Sequence, residues 1–563
     1  MFIRSVYTWI PTYGPNKYFP YEKLKETIKI FYGNASYTDF FILLGVDVDS
    51  ILIGSRDVLF NISLANLTEN VNHRLRWPST AETRGFCEDK GLREEVCHNF
   101  IRVAAMGADG ILEVCGTNSY KPLCRRYRIE GNKFEHVTET SGVGKVPHDP
   151  SRESTVVLVD GVMYSATFAD LNGTDPVIYR QPVRTEMSNS KQLKDPKFID
   201  SVSENDQVYF FFRESAIEYE NCGKIVYSRV ARVCKKDQGG SGNFENRWTT
   251  FMKARLNCSI RGEYPFYFNE LQAISIVDTT SHKTIYGIFT TPSNSIGGSA
   301  VCAFSFGSFH KVFSGDYKGQ ETEDSEWLSV PENDVPTPRP GKCRNNSKSL
   351  NQDVVNFIHN HSLMDAAVLS RPPLFIKLSS KSRFVSITVD PQVKTVNGNP
   401  MDVFFMGTDD GRLFKGITRV KNVSIFSEEL ELFPKGVAIK TLKIARTSPP
   451  KLVVITNDYI LTIPLHRCSD IGSCLECVGI QDPYCAWDPS SHACLAHNEV
   501  QDKANLVQDV LSGVHKSCPS ALGGADSLIV RNPFTYFSML TLCSFLGIID
   551  AVTNIITNYY TIR

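Results

Sequence analysis

Short apolar runs broken by turn dipeptides recur along the chain, and their period is that of strands. Phe40-Phe41-Ile42-Leu43-Leu44-Gly45-Val46 is a continuous apolar run, the pattern of a strand buried on both faces. Residues 50–54 and 58–62 flank Arg56-Asp57 as a hairpin would. The same shape returns at 155–165 around Asp160-Gly161, at 403–415 around Asp409-Asp410-Gly411 and at 451–461 around Asn457-Asp458. Asp-Gly and Asn-Asp supply the positive φ that two-residue hairpins need. Such hairpins recur from about residue 35 to 466 without alternating helices, which predicts an all-β fold, a β-propeller. Each blade is a small sheet that cannot bury both faces alone, so radial stacking covers the faces and ring closure leaves short edges. At roughly 45–60 residues per blade the length holds about seven. An array of β-sandwiches is the alternative that periodicity leaves open. The stretch 310–370 breaks the pattern. Pro331, Pro336, Pro338 and Pro340 make it irregular, residues 350–361 read as helical, and long insertions in rigid scaffolds carry binding or assembly surfaces.

Downstream the strand pattern gives way to Cys468-x5-Cys474-x2-Cys477-x7-Cys485-x8-Cys494, followed by Cys518. A segment of this size buries little core without covalent staples. Trp487 offers it one large apolar centre, and Asp482-Pro483 sets a turn before Cys485. The C-x2-C spacing also suits zinc, but no histidine lies at ligand spacing and His466 and His492 flank the segment loosely, so disulfides are the expected chemistry. Asn-x-Ser/Thr sequons at Asn34, Asn61, Asn66, Asn172, Asn345, Asn360 and Asn422 favour the secretory route in a chain with 16 cysteines. Asn257 is the poorest sequon, because its middle residue is Cys258.

At 563 residues the chain exceeds one ordinary core, and one large domain plus the small knot is the natural division. A formal net charge of -1 offers no global field to nucleic acid. The basic runs Arg74-Leu75-Arg76 and Lys235-Lys236 read as solvated loops. No His-Glu-x-x-His, nucleophile elbow or phosphate loop is present, and no cofactor or metal is expected. Asp47-x-Asp49 and Asp409-Asp410 read as strand-end turns. A propeller hydrolase would need polar groups converging at the central channel. The segment 1–34 lacks the apolar core of a signal peptide, which suggests an incomplete N-terminus. In the tail, 521–563, residues 537–549 are apolar before Asp550 intrudes. A mid-span Asp costs roughly 2.5–3.5 kcal/mol, so the tail is a marginal membrane anchor, weighed against an aberrant C-terminus.

Several ordered blocks resemble the semaphorin family over nearly the whole chain. Arg84-Gly85-Phe86-Cys87 leads to Cys97-His98-Asn99-Phe100-Ile101-Arg102-Val103, then Cys115-Gly116-Thr117-Asn118 and Cys124. Phe210-Phe211-Phe212-Arg213-Glu214 precedes Ser228-Arg229-Val230-Ala231-Arg232-Val233-Cys234-Lys235-Lys236-Asp237-Gln238-Gly239-Gly240, and Trp248 to Cys258 follows. The cysteine knot is similar to the PSI module of that family, and the overall pattern looks most like the invertebrate class 1 membrane semaphorins. The resemblance implies a seven-bladed sema propeller over 35–466 and a PSI module over 467–520. It implies an extracellular, cell-surface or secreted ligand of plexin receptors, a homodimer that acts as a repulsive cue in axon guidance and cell migration. A plexin-type receptor ectodomain shares the architecture and is the rival reading, with the hydrolase behind it.

The family pattern implies the pairs Cys87–Cys97, Cys115–Cys124, Cys234–Cys343 and Cys258–Cys302 in the propeller, and Cys468–Cys485, Cys474–Cys518 and Cys477–Cys494 in the knot; sequence alone leaves the connectivity open. Where the family often has a further cysteine, this chain has Val146. Cys222 is left over, either a buried inert thiol or, as we expect, the link between two chains. Family analogy puts receptor contact on the rim around the third and fourth blades. The candidates are Ser203, Glu204 and Asn205 in a strand-connecting loop, 200–207, and Lys235, Lys236 and Asp237 in a turn. The insertion at 310–370 is the candidate for dimer contacts.

Overall fold

The computed structural model describes residues 14–518, apart from 35, 280–282, 323, 380, 419–423 and 435. The N-terminal ten residues, Asn422 and the apolar tail therefore lie outside the described residues. Seven sheets of four or more strands follow one another along the chain, each mainly an antiparallel meander, and make a seven-bladed β-propeller. Blades 1 to 5 begin with strands Ile42–Val46, Ile101–Met106, Thr155–Val159, Lys197–Glu204 and Glu270–Asp278. Blades 6 and 7 begin with Phe384–Lys394 and Thr441–Ala445.

Alternation of side chains explains why the strand runs are apolar throughout. In blade 4, Tyr209 and Phe211 pack with blade 5 residues such as Leu271 and Phe289. Phe210 and Phe212 point the other way, to Tyr164 and Ile178 of blade 3. The same division recurs around the ring, with an apolar cluster between every neighbouring pair of blades. The last of these closes it: Ile51 and Ile53 of blade 1 pack on Val453 and Ile460 of blade 7. A fully buried Val, Leu, Ile or Phe side chain contributes about 1.5–3 kcal/mol, so an unclosed ring would leave two whole faces in water. Asp160-Gly161 and Gly411 turn with positive φ, 52°, 78° and 87°, at the hairpin turns read from the sequence.

The ring begins earlier than residue 35. Lys17–Phe19 adds to blade 6 as a parallel strand, with Tyr18 opposite Glu429. Lys29–Tyr32 adds to blade 7 antiparallel, with Ile30 opposite Leu461. These strands are too short to show a period of two, and their partners lie at the far end of the chain, so the sequence reading set the boundary too late.

The insertion, residues 306–374, lies between two strands of blade 5, Gly298–Ser305 and Phe375–Leu378, that pair with each other. It holds helices Phe306–Phe313 and Gln352–Asn360, capped by Ser305 and Asn351. Its strand Val368–Leu369 pairs with blade 4, beside Leu256 and Asn257.

The cysteine-rich module contains helix Cys474–Gly479, capped by Ser473, and the hairpin Cys485–Asp488 with Ala493–Ala496. Tyr484 and Val510 join the apolar cluster of blades 6 and 7, so the module docks on the ring. A buried ionic cluster reinforces the junction. Lys415 of blade 6 donates to the Leu465 carbonyl at 2.9 Å and pairs with Asp482, while Arg467 pairs with Glu428. The Asn16 side chain donates to the carbonyls of Gly479 and Ile480 at 3.1 and 3.2 Å. Asp482 thus does more than shape a turn: it is one of the module's ionic contacts with the ring.

A candidate interaction surface on blade 4

The strands of blade 4 define two ends. The turn after Lys197–Glu204 and the turn after Val226–Cys234 meet at one end, where Gln207 lies opposite Cys234 and the Lys235 N–H donates to the Asp206 carbonyl at 2.9 Å. The connection 216–225, with Cys222, is at the other end. A nine-residue strand spans about 26 Å between them.

The first end gathers the receptor-contact candidates, with corrections. Residues 200–207 are not a loop: Ser203 and Glu204 belong to a strand, and only Asn205 and Asp206 turn, Asn205 with φ 50°. Glu204 is occupied by Lys283 of blade 5. Asp237 is buried, at 1% exposure. Its carboxylate accepts from the Gly239 and Thr249 N–H groups, each at 2.9 Å, and from the Thr250 hydroxyl at 2.7 Å. It is a structural turn-former, since a buried carboxylate so saturated has nothing left to offer a partner. Lys236 and Asn205 are exposed, and Lys235 is half-buried.

The insertion is bound to this end. Cys234–Cys343 joins it to blade 4 with a Cα–Cα distance of 5.4 Å. The Ser347 hydroxyl accepts from the Gln238 N–H at 2.9 Å and donates to the Gly239 carbonyl at 2.8 Å. Lys236 Nζ donates to Asn345 Oδ1 at 3.0 Å.

The second end rests on buried ions. Arg229 and Lys253, both fully buried, meet Glu214 Oε1 at 2.9 and 2.6 Å. Arg229 also donates twice to Glu218, at 2.8 and 2.6 Å. Burial alone would raise Glu218, but the Arg229 charge and its hydrogen bonds override it and hold the carboxyl down at about 2. Glu218 belongs to the 3-10 helix Ile217–Cys222, so this cluster fixes the segment that ends in Cys222. Cys222 is an exposed free thiol, which removes the buried-thiol reading. Its neighbour Asn221 donates to the Ser325 carbonyl of the insertion at 3.2 Å. The insertion therefore reaches both ends of blade 4.

Disulfides join Cys87–Cys97, Cys115–Cys124, Cys258–Cys302, Cys468–Cys485 and Cys477–Cys494, and Cys474 and Cys518 are also disulfide-bonded. Val146 packs fully buried against the Cys115–Cys124 pair, an apolar side chain where a thiol would have stood. Glu113 lies close to Cys115 and Cys124, but those sulfurs are consumed by their bond and leave no thiolate ligand. Asp410 is engaged by Arg412 at 2.7 Å and Asp47 accepts from the Val48 N–H at 2.8 Å. Asn34, Asn66, Asn172, Asn345 and Asn360 are exposed. Asn61 and Asn257 lie half-buried on strands, and the Asn257 side-chain oxygen is buried without a partner. Among the described residues no helix is long and apolar enough to cross a membrane.

Comparison with known proteins gives this geometry a family. A profile described as the Sema domain matches residues 271–446, and one described as the plexin repeat, PSI, matches 467–519. Semaphorin-1A of Schistocerca americana is 46% identical over 545 residues, covering 93% of this chain and 74% of that protein. The chain belongs to the semaphorin family. Semaphorin-1A of Tribolium confusum is 44% identical, over 94% of this chain and 76% of its own length. Among solved semaphorin structures, domains 1-2 of the Drosophila Semaphorin 1b ectodomain superpose with a TM-score of 0.82 at 43% identity, covering 86% of this chain and 96% of that one. A structure titled Drosophila Plexin A in complex with Semaphorin 1b matches with a TM-score of 0.81 at 43% identity and the same coverage. The Plexin A4 ectodomain matches at 13% identity with a TM-score of 0.62, a likeness of fold alone. The chain carries the sema and PSI domains of a semaphorin and is an extracellular protein.

Sequence reasoning did not single out the cations that the insertion brings to this end of blade 4. Lys342 and Arg344 flank Cys343, whose bond to Cys234 brings them to the turn bearing Lys235 and Lys236. The signal was present, in the cations flanking Cys343, but a sequence reading had no distance to attach to it.

Proposed function

We propose that this protein is a guidance ligand that binds a plexin receptor through the rim of its propeller and acts as a homodimer, signalling repulsion in axon guidance and cell migration. The observation that carries the reading is the likeness, at 43% identity and a TM-score of 0.81, to a semaphorin solved in complex with Plexin A. A signalling ligand rather than an enzyme is what this family membership supports. Within the rim, the end of blade 4 bearing Ser203, Glu204, Asn205, Lys235 and Lys236 is the proposed contact, with Asp237 shaping the turn from below. Exposed Cys222, about 26 Å away at the opposite end, is the proposed link between two copies. The insertion near Ser325 would flank that link. A bond there leaves both receptor-facing ends free, so one dimer can engage two receptors. The exposed sequons are the proposed glycan sites.

The test is binding of the purified chain to plexin ectodomains displayed on a surface. The disulfide-linked dimer is expected to bind, and Cys222→Ser is expected to run as a monomer on non-reducing gels and to bind at least about tenfold more weakly by loss of avidity. No binding to any plexin ectodomain overturns the receptor assignment. An unchanged dimer band for Cys222→Ser overturns the link.

A further inference from the structure

The Cys234–Cys343 bond, across a sequence separation of 109, assembles a strip of cations that neither segment has alone. Lys235 and Lys236 approach from blade 4; Lys342, Arg344 and Lys348 approach from the insertion. Lys236, Lys342, Arg344 and Lys348 are exposed. Among the described residues none of the five forms an ion pair. The chain carries a net charge of only -1, so this is a local field, not a share of a general excess. The sequence reading of Lys235-Lys236 as a merely solvated loop does not account for the convergence.

Beside the strip lies an opening of about 390 Å³, lined by Arg232, His310, Arg339 and Lys342, with Asp206 the acid among its lining residues. Arg232 is 7% exposed. Its guanidinium donates to the Gly341 carbonyl at 3.0 Å and faces the Phe313 ring at 5.2 Å, and its Nε, buried, has no hydrogen-bond partner. No carboxylate lies within ion-pair distance of it among the described residues. Arg229, three residues earlier on the same strand, shows the contrast: two glutamates neutralise it. A buried guanidinium without a counter-charge is costly, and an oxyanion in the adjoining opening would supply that charge.

The geometry points to this pocket and strip as a docking track for a sulfated polysaccharide chain, one sulfate group entering beside Arg232 and Arg339 and its neighbours lying along Lys342, Lys236, Arg344 and Lys348. A small free anion would need the pocket only; the row of exposed cations beyond it matches a polymer with repeated charge. The extracellular setting is where such polymers occur as cell-surface and matrix components. The inference does not rest on plexin binding.

Full-length protein is trimmed of N-glycans, because Asn345 carries a sequon in this strip, and its binding to a heparin-derived oligosaccharide is measured as a function of salt. Lys342→Gln/Arg344→Gln/Lys348→Gln is expected to lose about tenfold in affinity at physiological salt, with a shallower salt dependence. A control that removes the same charge elsewhere, Lys29→Gln/Lys90→Gln/Lys133→Gln, is expected to bind as the parent does. Both triple variants change exposed residues and are expected to keep the parent melting temperature. Equal loss in the two variants, or none in the first, overturns the proposal. So does binding of the desulfated oligosaccharide or polyglutamate as tight as that of the sulfated chain, or competition by inorganic sulfate at matched sulfate concentration. Plexin binding is read on the same samples, so failure of one reading is distinguishable from failure of the other.

Discussion

Blade 4 and the junction between blade 6 and the PSI module each bury two acids with two bases, and they use them differently. In blade 4, Glu214, Glu218, Arg229 and Lys253 come from neighbouring strands and the 3-10 helix between them, with close pairs throughout. At the junction, Lys415 and Glu428 belong to the ring while Arg467 and Asp482 belong to the module or its hinge. Glu428 Oε1 is buried there without a hydrogen bond, 3.8 Å from Lys415. Burial pushes Asp482 up, with Lys415 opposing; burial also acts on Glu428, but Arg467 and Lys415 hold it down. One cluster positions a loop inside a single blade. The other joins two modules that each have their own core or staples.

The largest effect that separates them comes from removing one base. Lys415→Met strands the buried Asp482, leaves Glu428 to Arg467 alone, and should cost about 3–5 kcal/mol. The PSI module should then melt apart from the ring, giving two calorimetric transitions in place of one. Arg229→Met should cost a similar amount but unfold with the ring in a single transition. If both variants give the same profile, the proposed difference between the clusters is wrong. Next, Cys234→Ser/Cys343→Ser should cost about 2–5 kcal/mol and speed hydrogen exchange in 306–374 selectively, because that bond anchors the insertion.

Acid titration sharpens the comparison further. The folded value for Glu218, about 2, lies below the ordinary 4.5, so its contribution is fully present above pH 4.5 and is lost as pH falls through 2. That contribution is about 3 kcal/mol by linkage, and Glu218→Gln should flatten the stability profile in this window. Asp482 has the opposite sign. Its folded value is raised, so its share of junction stability falls as pH rises from 3.8 through that value. Accordingly Asp482→Asn should be milder than Glu428→Gln, which should cost about 1–3 kcal/mol in urea melts. The smallest effect is that of Cys222→Ser. An exposed side chain at the end of a 3-10 helix should change monomer stability by less than about 0.5 kcal/mol while removing any disulfide-linked dimer.

Much of the ring was legible because each blade announces itself locally. A strand such as 207–215 is apolar at every step from Val208 to Phe212 because both its faces meet another blade, and Asp160-Gly161 or Gly411 marks such a turn. The insertion was legible as an interruption, with its prolines and one helical stretch. What escaped were features whose meaning depends on remote partners. Lys17–Phe19 has three residues and no pattern, and only Glu428–Leu430 make it a strand. Asp237 reads as an exposed acid in a polar turn, yet the turn folds inward over Thr249 and Thr250. Lys342 and Arg344 carry no pattern of their own, and only the bond of Cys343 to Cys234 brings them to the turn of Lys236. Spacing along a chain reports periodicity, and it is silent on who arrives from a hundred residues away.

The first strands of the ring also set a schedule for making it. Tyr18 bonds to Glu431, 413 residues later in the sequence. At roughly 5–20 residues per second, a nascent chain holds its opening strands unpaired for on the order of 20–80 s while six blades emerge behind them. During that interval blades 6 and 7 lack their outer strands and the first and last blades are bare on one side. Completion is a single late clasp, so the demand on lumenal chaperones falls at the end of synthesis. A ribosome stall between residues 431 and 464 would leave a chain with six blades in hand and no way to shut.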